Sequence, residues 1–176
     1  MSSRSMKTLA AGACLFAGIL AGVTSNRALV ELPAWERIGA TGWADFTRAE
    51  NHGIGAVFYL IIGFLALVLT LATALAFRLD RSSRRFLRFP AYAAALLAIA
   101  YATITRAVLV PAAFRLRAAG SNVDALQQIF HRVEQWWGIN DLIHVIAFGL
   151  SLWAFAEIAS GSTQGTLTTG ANSAHD

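Results

Sequence analysis

Apolar residues fall into four long runs along this chain, at residues 8–26, 53–77, 89–110 and 138–158. Each run is close to the ~20 residues of helix that cross a bilayer. The second run is free of charge from Gly53 to Phe77. Pro90 suits the first turn of a third helix, and Val110-Pro111 closes it. Ahead of the last run, Val123, Leu126, Phe130, Val133 and Trp137 recur at helical spacing. Ser121 with Asp124 makes a capping pair for that stretch, which leads into the last run with Gly138 as a bend. The first run carries Gly18-x-x-x-Gly22 beside Ala13, Ala17 and Ala21, a spacing that lets helices approach closely. Pro33 marks the end of the first helix or the start of a short second element. The segment 32–51 mixes Trp35, Ile38, Trp43 and Phe46 with charges, the make-up of an interfacial cap with aromatic anchors. The pattern predicts an all-α, four-helix transmembrane bundle with an amphipathic helix leading into the last span. One domain covers 1–159. The Ser-, Thr- and Gly-rich tail, 160–176, has the composition of a disordered segment.

Composition agrees with the pattern. Of 176 residues, 56% are hydrophobic and 14% charged, against about 25% charged in ordinary soluble domains. The formal net charge is +4, but the basic residues are not laid out for nucleic acid. Arg78, Arg81, Arg84, Arg85 and Arg88 crowd the loop between the second and third runs, which is a topology signal. Arg4 and Lys7 precede the first run, whereas the arginines of the other two loops are spread over longer segments. Arginine density predicts an inner-membrane protein with both termini and the middle loop cytoplasmic. Anionic lipid contact at that loop is compatible with this. Cys14 is the only cysteine, so an intrachain disulfide is excluded. Ala11-Gly12-Ala13-Cys14 faintly matches a lipoprotein box, and the N-terminus has features of a signal peptide. Without a clear cleavage site, the first run is read as a retained helix.

Polar residues gather at one end of the apolar runs, and burying such groups in lipid is costly. Helical wheels sort them. His52, Tyr59, Gly63, Ala66 and Thr70 share the inward face of the second helix, opposite Val57, Phe58, Ile61 and Val68. On the third, Arg106 falls with Tyr92, Ala95, Ala102 and Thr103 on the face assigned inward, opposite Leu97 and Tyr101. Asn140 and His144 stack on the last helix, on the buried face that continues Leu126, Phe130, Val133 and Trp137. His131, Glu134 and Asp141 fall on the other side. Asn26 and Arg27 from the first helix, and Glu50 with Asn51, lie at the same level.

Such a cluster is either a pocket that opens outward or a hydrogen-bonded plug that pins four helices together. As a pocket it suits proton abstraction from an acidic carbon or phenol. His144 or His52 is the base, Arg106 stabilises the anion, and Tyr59 and Asn140 orient an oxygenated ring. A carbanion so formed reacts with dioxygen without metal or flavin, so no cofactor is called for. Arg106 can also simply snorkel to lipid phosphates. Two further readings use the same groups: His52 and His144 as axial ligands of a haem, or a metal site completed by Glu50 or Asp141.

The chain also resembles the small four-helix bacterial membrane proteins grouped with the anthrone oxygenases of polyketide biosynthesis. Three parts carry the resemblance: the Gly-rich first helix leading to Leu32-Pro33-Ala34-Trp35, Val110-Pro111 with the polar linker after it, and the run Phe130–Phe148. An aromatic-x-x-x-His/Asn step enters the last helix in that family, and it corresponds here to Trp136-x-x-x-Asn140. Where an arginine often follows in the family, this chain has Ile143 and His144. The resemblance implies a four-helix fold, Trp136 beside the substrate, and a cofactor-independent oxygenase acting on a lipophilic aromatic molecule. A different class of function fits the same residues: a non-catalytic partner subunit or small-molecule carrier.

Overall fold

The structure is a computed structural model that describes residues 3–52, 55–79 and 88–172. All regular structure among these residues is helical: α1 (Ser3–Asn26), α2 (Leu32–His52), α3 (Gly55–Leu79), α4 (Phe89–Ile104), α5 (Val110–Ala118) and α6 (Val123–Asn172). Among the described residues four helical rods are long and apolar enough to cross a membrane: Arg4–Glu50, Val57–Leu79, Phe89–Ala118 and Val123–Ser160. The α1, α3, α4 and α6 helices close a ring in which each packs against two others, α1 on α3 and α6, α4 on α3 and α6. This is the four-helix bundle that the hydropathy pattern predicts. Leu60, Phe64, Leu96 and Leu142 point out of it. An apolar outer surface of this extent needs lipid around it, because water would penalise it heavily.

Two wide π-turns carry the chain past Pro33 and Pro111. Arg27–Glu31 joins α1 to α2, and Thr105–Leu109 joins α4 to α5. The Leu32 N–H bonds to Arg27 O, and the Val110 N–H to Thr105 O, both five residues back. Pro33 and Pro111 come next, so the N–H that each proline lacks is lost where the ordinary bonding pattern has already been broken. The third rod therefore does not stop at Pro111 but runs to Ala118. Pro33 likewise does not end the first rod. The break comes later, at Gly39, whose φ of 74° and ψ of 174° split α2 into two arms; a positive φ of that kind favours glycine.

The α2 arms differ from an interfacial anchor in one respect. Trp35 and Trp43 are buried, packed with Ala44 against Ala112 and Leu116 of α5 and Leu126, Phe130 and Val133 of α6. Ile38 and Phe46 are the exposed members of the aromatic and apolar set. The amphipathic stretch before the last span thus has a protein partner for its apolar face. Arg48 ties the cap down by donating to Leu116 O at 3.1 Å and to Gly120 O. These are carbonyls at the end of α5, which helical bonding leaves open. Asn122, rather than Ser121 with Asp124, caps α6 by accepting from the Ala125 N–H at 3.1 Å.

Close packing rests on small residues. A Cβ on Gly18 would stand 3.0 Å from the Phe148 ring, so α1 and α6 meet there only because the side chain is a hydrogen. Gly22 has nothing within 4 Å and does not serve the interface. Helical backbone continues to Asn172, into the stretch whose composition predicts no stable structure. Arg81, Arg84 and Arg85 of the basic loop lie outside the described residues.

Candidate functional site

The polar end of the bundle is built in two layers. Arg27 makes the upper one. The π-turn after α1 swings its side chain across the mouth of the ring, where it pairs with Glu50 of α2 at 2.7 Å and with Glu31 at 3.5 Å. Its guanidinium lies over the Tyr59 ring of α3, 4.6 Å from the centroid, and 5.5 Å from that of Trp137 on α6. Trp137 in turn stacks on Trp35, with ring centroids 4.9 Å apart. One arginine thus contacts α2, α3 and α6 through ion pairs and ring faces. A desolvated cation–π contact contributes up to about 2 kcal/mol. Asn26 adds a hydrogen bond to Glu31 Oε1 at 2.9 Å.

The lower layer lies on α6. Asn140, Asp141 and His144 are buried, with 3%, 5% and 5% of their surface exposed. The His144 ring meets Tyr101 of α4 edge to face, with centroids 4.0 Å apart. Gly63 of α3 leaves room for the phenol: a Cβ there would lie 3.4 Å from the Tyr101 hydroxyl. Asn140 Oδ1, both Asp141 carboxylate oxygens and His144 Nε2 have no hydrogen-bond partner among the described residues. Each such buried group left unsatisfied costs about 1–3 kcal/mol. The charge of Arg27 reaches Asp141 and links the two layers.

A cavity of about 20 Å³ adjoins His144, lined also by Tyr101, Thr70 and Ser151. That is room for about one water molecule. A smaller cavity of about 10 Å³ lies deeper along the bundle, sharing Thr70 and Ser151 and adding Thr73. Neither admits an aromatic ring or a porphyrin. Among the described residues no group of three His, Cys, Asp or Glu side chains is placed to hold a metal ion.

The sequence-derived site is therefore partly regrouped. Asn140 and His144 are inward, as their spacing predicts, and Tyr59 is half-buried against Arg27. Arg106 is a correction. It is exposed on the outer surface beside Leu67, Leu71 and Ile99, away from His144. The inward face of α4 is instead the one that carries Ala91, Ala94 and Tyr101, and Arg106 lies on the side of the helix opposite Tyr101. Asp141 is the second correction: it is buried, because α6 is covered by both α1 and α4 and its apolar arc is wider than one stripe. Trp136 is half-buried, and the tryptophan that joins the cluster is its neighbour Trp137. The side chain of His52, at the end of α2, lies outside the described residues.

Arg27, Tyr101 and Trp137 take the places for which sequence reasoning chose Arg106 and Trp136. A signal for Arg27 was present: Glu31 stands four residues on, an ion-pair spacing on helix. None marked Tyr101, an aromatic in an apolar run. Comparison of the chain with protein-family models, with curated proteins and with solved structures finds no match.

Proposed function

We propose that this is a multi-pass inner-membrane protein, with both termini cytoplasmic, that handles protons at Asp141 and His144 as a carrier or carrier subunit. The observation that supports this reading is the state of the buried groups. A structural plug would join Asn140, Asp141 and His144 to one another or to neighbouring helices, yet their acceptor atoms find no partner among the described residues. Ionisable residues facing the interior of a membrane bundle commonly belong to ion or proton pathways. Asp141 and His144 stand three residues apart on one helix, a spacing that makes their side chains neighbours, although no bond joins them. Hydroxyls of Thr70 and Ser151, then Thr73, continue the polar lining deeper into the bundle. Arg27, held by Glu31 and Glu50, supplies a fixed positive charge at the same polar end of the bundle.

The test uses the purified protein in liposomes with a trapped pH dye and an imposed pH gradient. Wild type dissipates the gradient; Asp141→Asn and His144→Ala do not, while remaining in the membrane at normal abundance. Loss of both variants from the membrane favours the plug. A wild type no faster than empty liposomes sinks the proton reading.

The anthrone-oxygenase-like reading is the second one, favoured by a buried imidazole whose Nε2 is unpartnered among the described residues. It requires the helices to part, since the cavity at His144 is about 20 Å³. It also loses Arg106 as anion stabiliser, and Arg27 is already engaged by carboxylates. Oxygen uptake with a lipophilic phenolic substrate, abolished by His144→Ala, would restore it.

A further inference from the structure

A much larger cavity than the two beside His144 lies outside the bundle core. It is a groove of about 560 Å³ between α5 and α6, bordered by Arg115, Asn122, Gln128 and Arg132 over a floor of Ala112 and Ala125. Ligand sites span roughly 300–1,000 Å³. Among the described residues no acidic one lines it. A second groove, of about 370 Å³, runs down the outer surface between α3 and α4 along Leu67, Leu71, Ile99 and Ala102. The two share Ala107, and Arg106 stands beside that junction. Among the described residues Arg106, Arg115 and Arg132 form no ion pair.

Together the grooves show a polarity gradient that runs along a membrane helix. The deeper part is apolar, faces lipid, and fits an extended hydrocarbon chain. The outer part is polar and cationic, on the side of the bundle where α5 leaves the apolar span. Small side chains at Ala102, Ala107 and Ala112 keep the passage between them open. An anion without a chain would use the polar groove alone. A zwitterionic lipid brings a phosphate too, but its ammonium cancels the net negative charge that the arginines attract.

We infer that the joined grooves are a binding site for an anionic phospholipid, with the phosphate at Arg115 and Arg132 and one acyl chain in the groove at Leu67 and Ile99. Arginine suits the headgroup because its planar fork bonds phosphate oxygens in pairs.

The test is native mass spectrometry of the full chain released from micelles. The probes are phosphatidylglycerol, phosphatidylcholine of the same chain length, and inorganic phosphate as a competitor. Phosphatidylglycerol is retained in preference to phosphatidylcholine, and phosphate does not displace it. Arg115→Gln with Arg132→Gln lowers its binding about 30-fold, as each basic residue near the surface contributes about fivefold. Ala107→Trp, which closes the junction but keeps both arginines, lowers it as well. Arg117→Gln, exposed on α5 and outside the groove, leaves it unchanged. Equal retention of the two lipids overturns the inference, as does full binding by the double variant or by Ala107→Trp. Displacement by phosphate overturns it in favour of a simple anion site. Should the double variant fail to fold, Ala107→Trp, at an exposed position, decides alone.

Discussion

Replacing Arg27 by Gln tests whether the upper layer holds the bundle together. The substitution leaves Glu50 and Glu31 without their common cation. Breaking a fully buried pair costs about 3–5 kcal/mol, whereas an exposed pair contributes about 0–1 kcal/mol. The Arg27 and Glu50 side chains are 18% and 26% exposed, which places the pair between those limits. Loss of the contact with Tyr59 adds about 0.5–2 kcal/mol. The expected destabilisation is about 2–3 kcal/mol, read from far-UV circular dichroism during unfolding in mixed micelles. Glu50→Gln alone should cost less, because Arg27 keeps Glu31. The double variant should cost less than the two singles summed, by about 1 kcal/mol. Arg27→Lys keeps the charge but not the flat ring-stacking surface, and should fall between wild type and Arg27→Gln. Strict additivity in the cycle, or a loss under about 0.5 kcal/mol for Arg27→Gln, would refute the assignment of Arg27 as the link between α2, α3 and α6.

The two glycines of the first helix should behave oppositely. Gly18→Leu drives a side chain into Phe148 and should cost about 1–3 kcal/mol, while Gly22→Ala, with open space around it, should be neutral or stabilise by about 0.5 kcal/mol; the same unfolding assay reads both. Arg48→Met removes the bonds to Leu116 O and Gly120 O. It should speed amide exchange across Ala119–Asn122, with a global loss of about 1–3 kcal/mol; unchanged exchange there would show that Arg48 does not anchor the α5–α6 turn.

Agreement between sequence and structure at the site depends on how much of each helix is covered. On α6, Leu126, Phe130, Val133, Asn140 and His144 are buried and Trp137 is half-buried, as their spacing requires. On α3, Ala66 and Thr70 are buried while Val57, Phe58 and Ile61 face out. Both helices carry polar or small residues on one side and bulky apolar ones on the other, so the wheel has contrast to work with. The α4 helix is rich in alanine on several faces, and its wheel has little. There the choice of inward face went to Arg106, whereas the packing puts Tyr101 inside.

Hydropathy alone is enough to specify four helices, their order and the level at which the polar groups collect, because lipid tolerates only backbone whose hydrogen bonds are satisfied internally. Length and apolar content are local properties of the chain, and no partner is needed to read them. Which cation meets which acid is not local. Arg27 reaches Glu50 across 23 positions and Tyr59 on another helix, through a π-turn that no residue pattern announces. Asp141 is buried because two neighbours cover α6, and Arg106 is exposed because the packing of α4 turns Tyr101, on the opposite side of that helix, toward His144. These assignments depend on contacts between helices, and such contacts exist only once the bundle has closed.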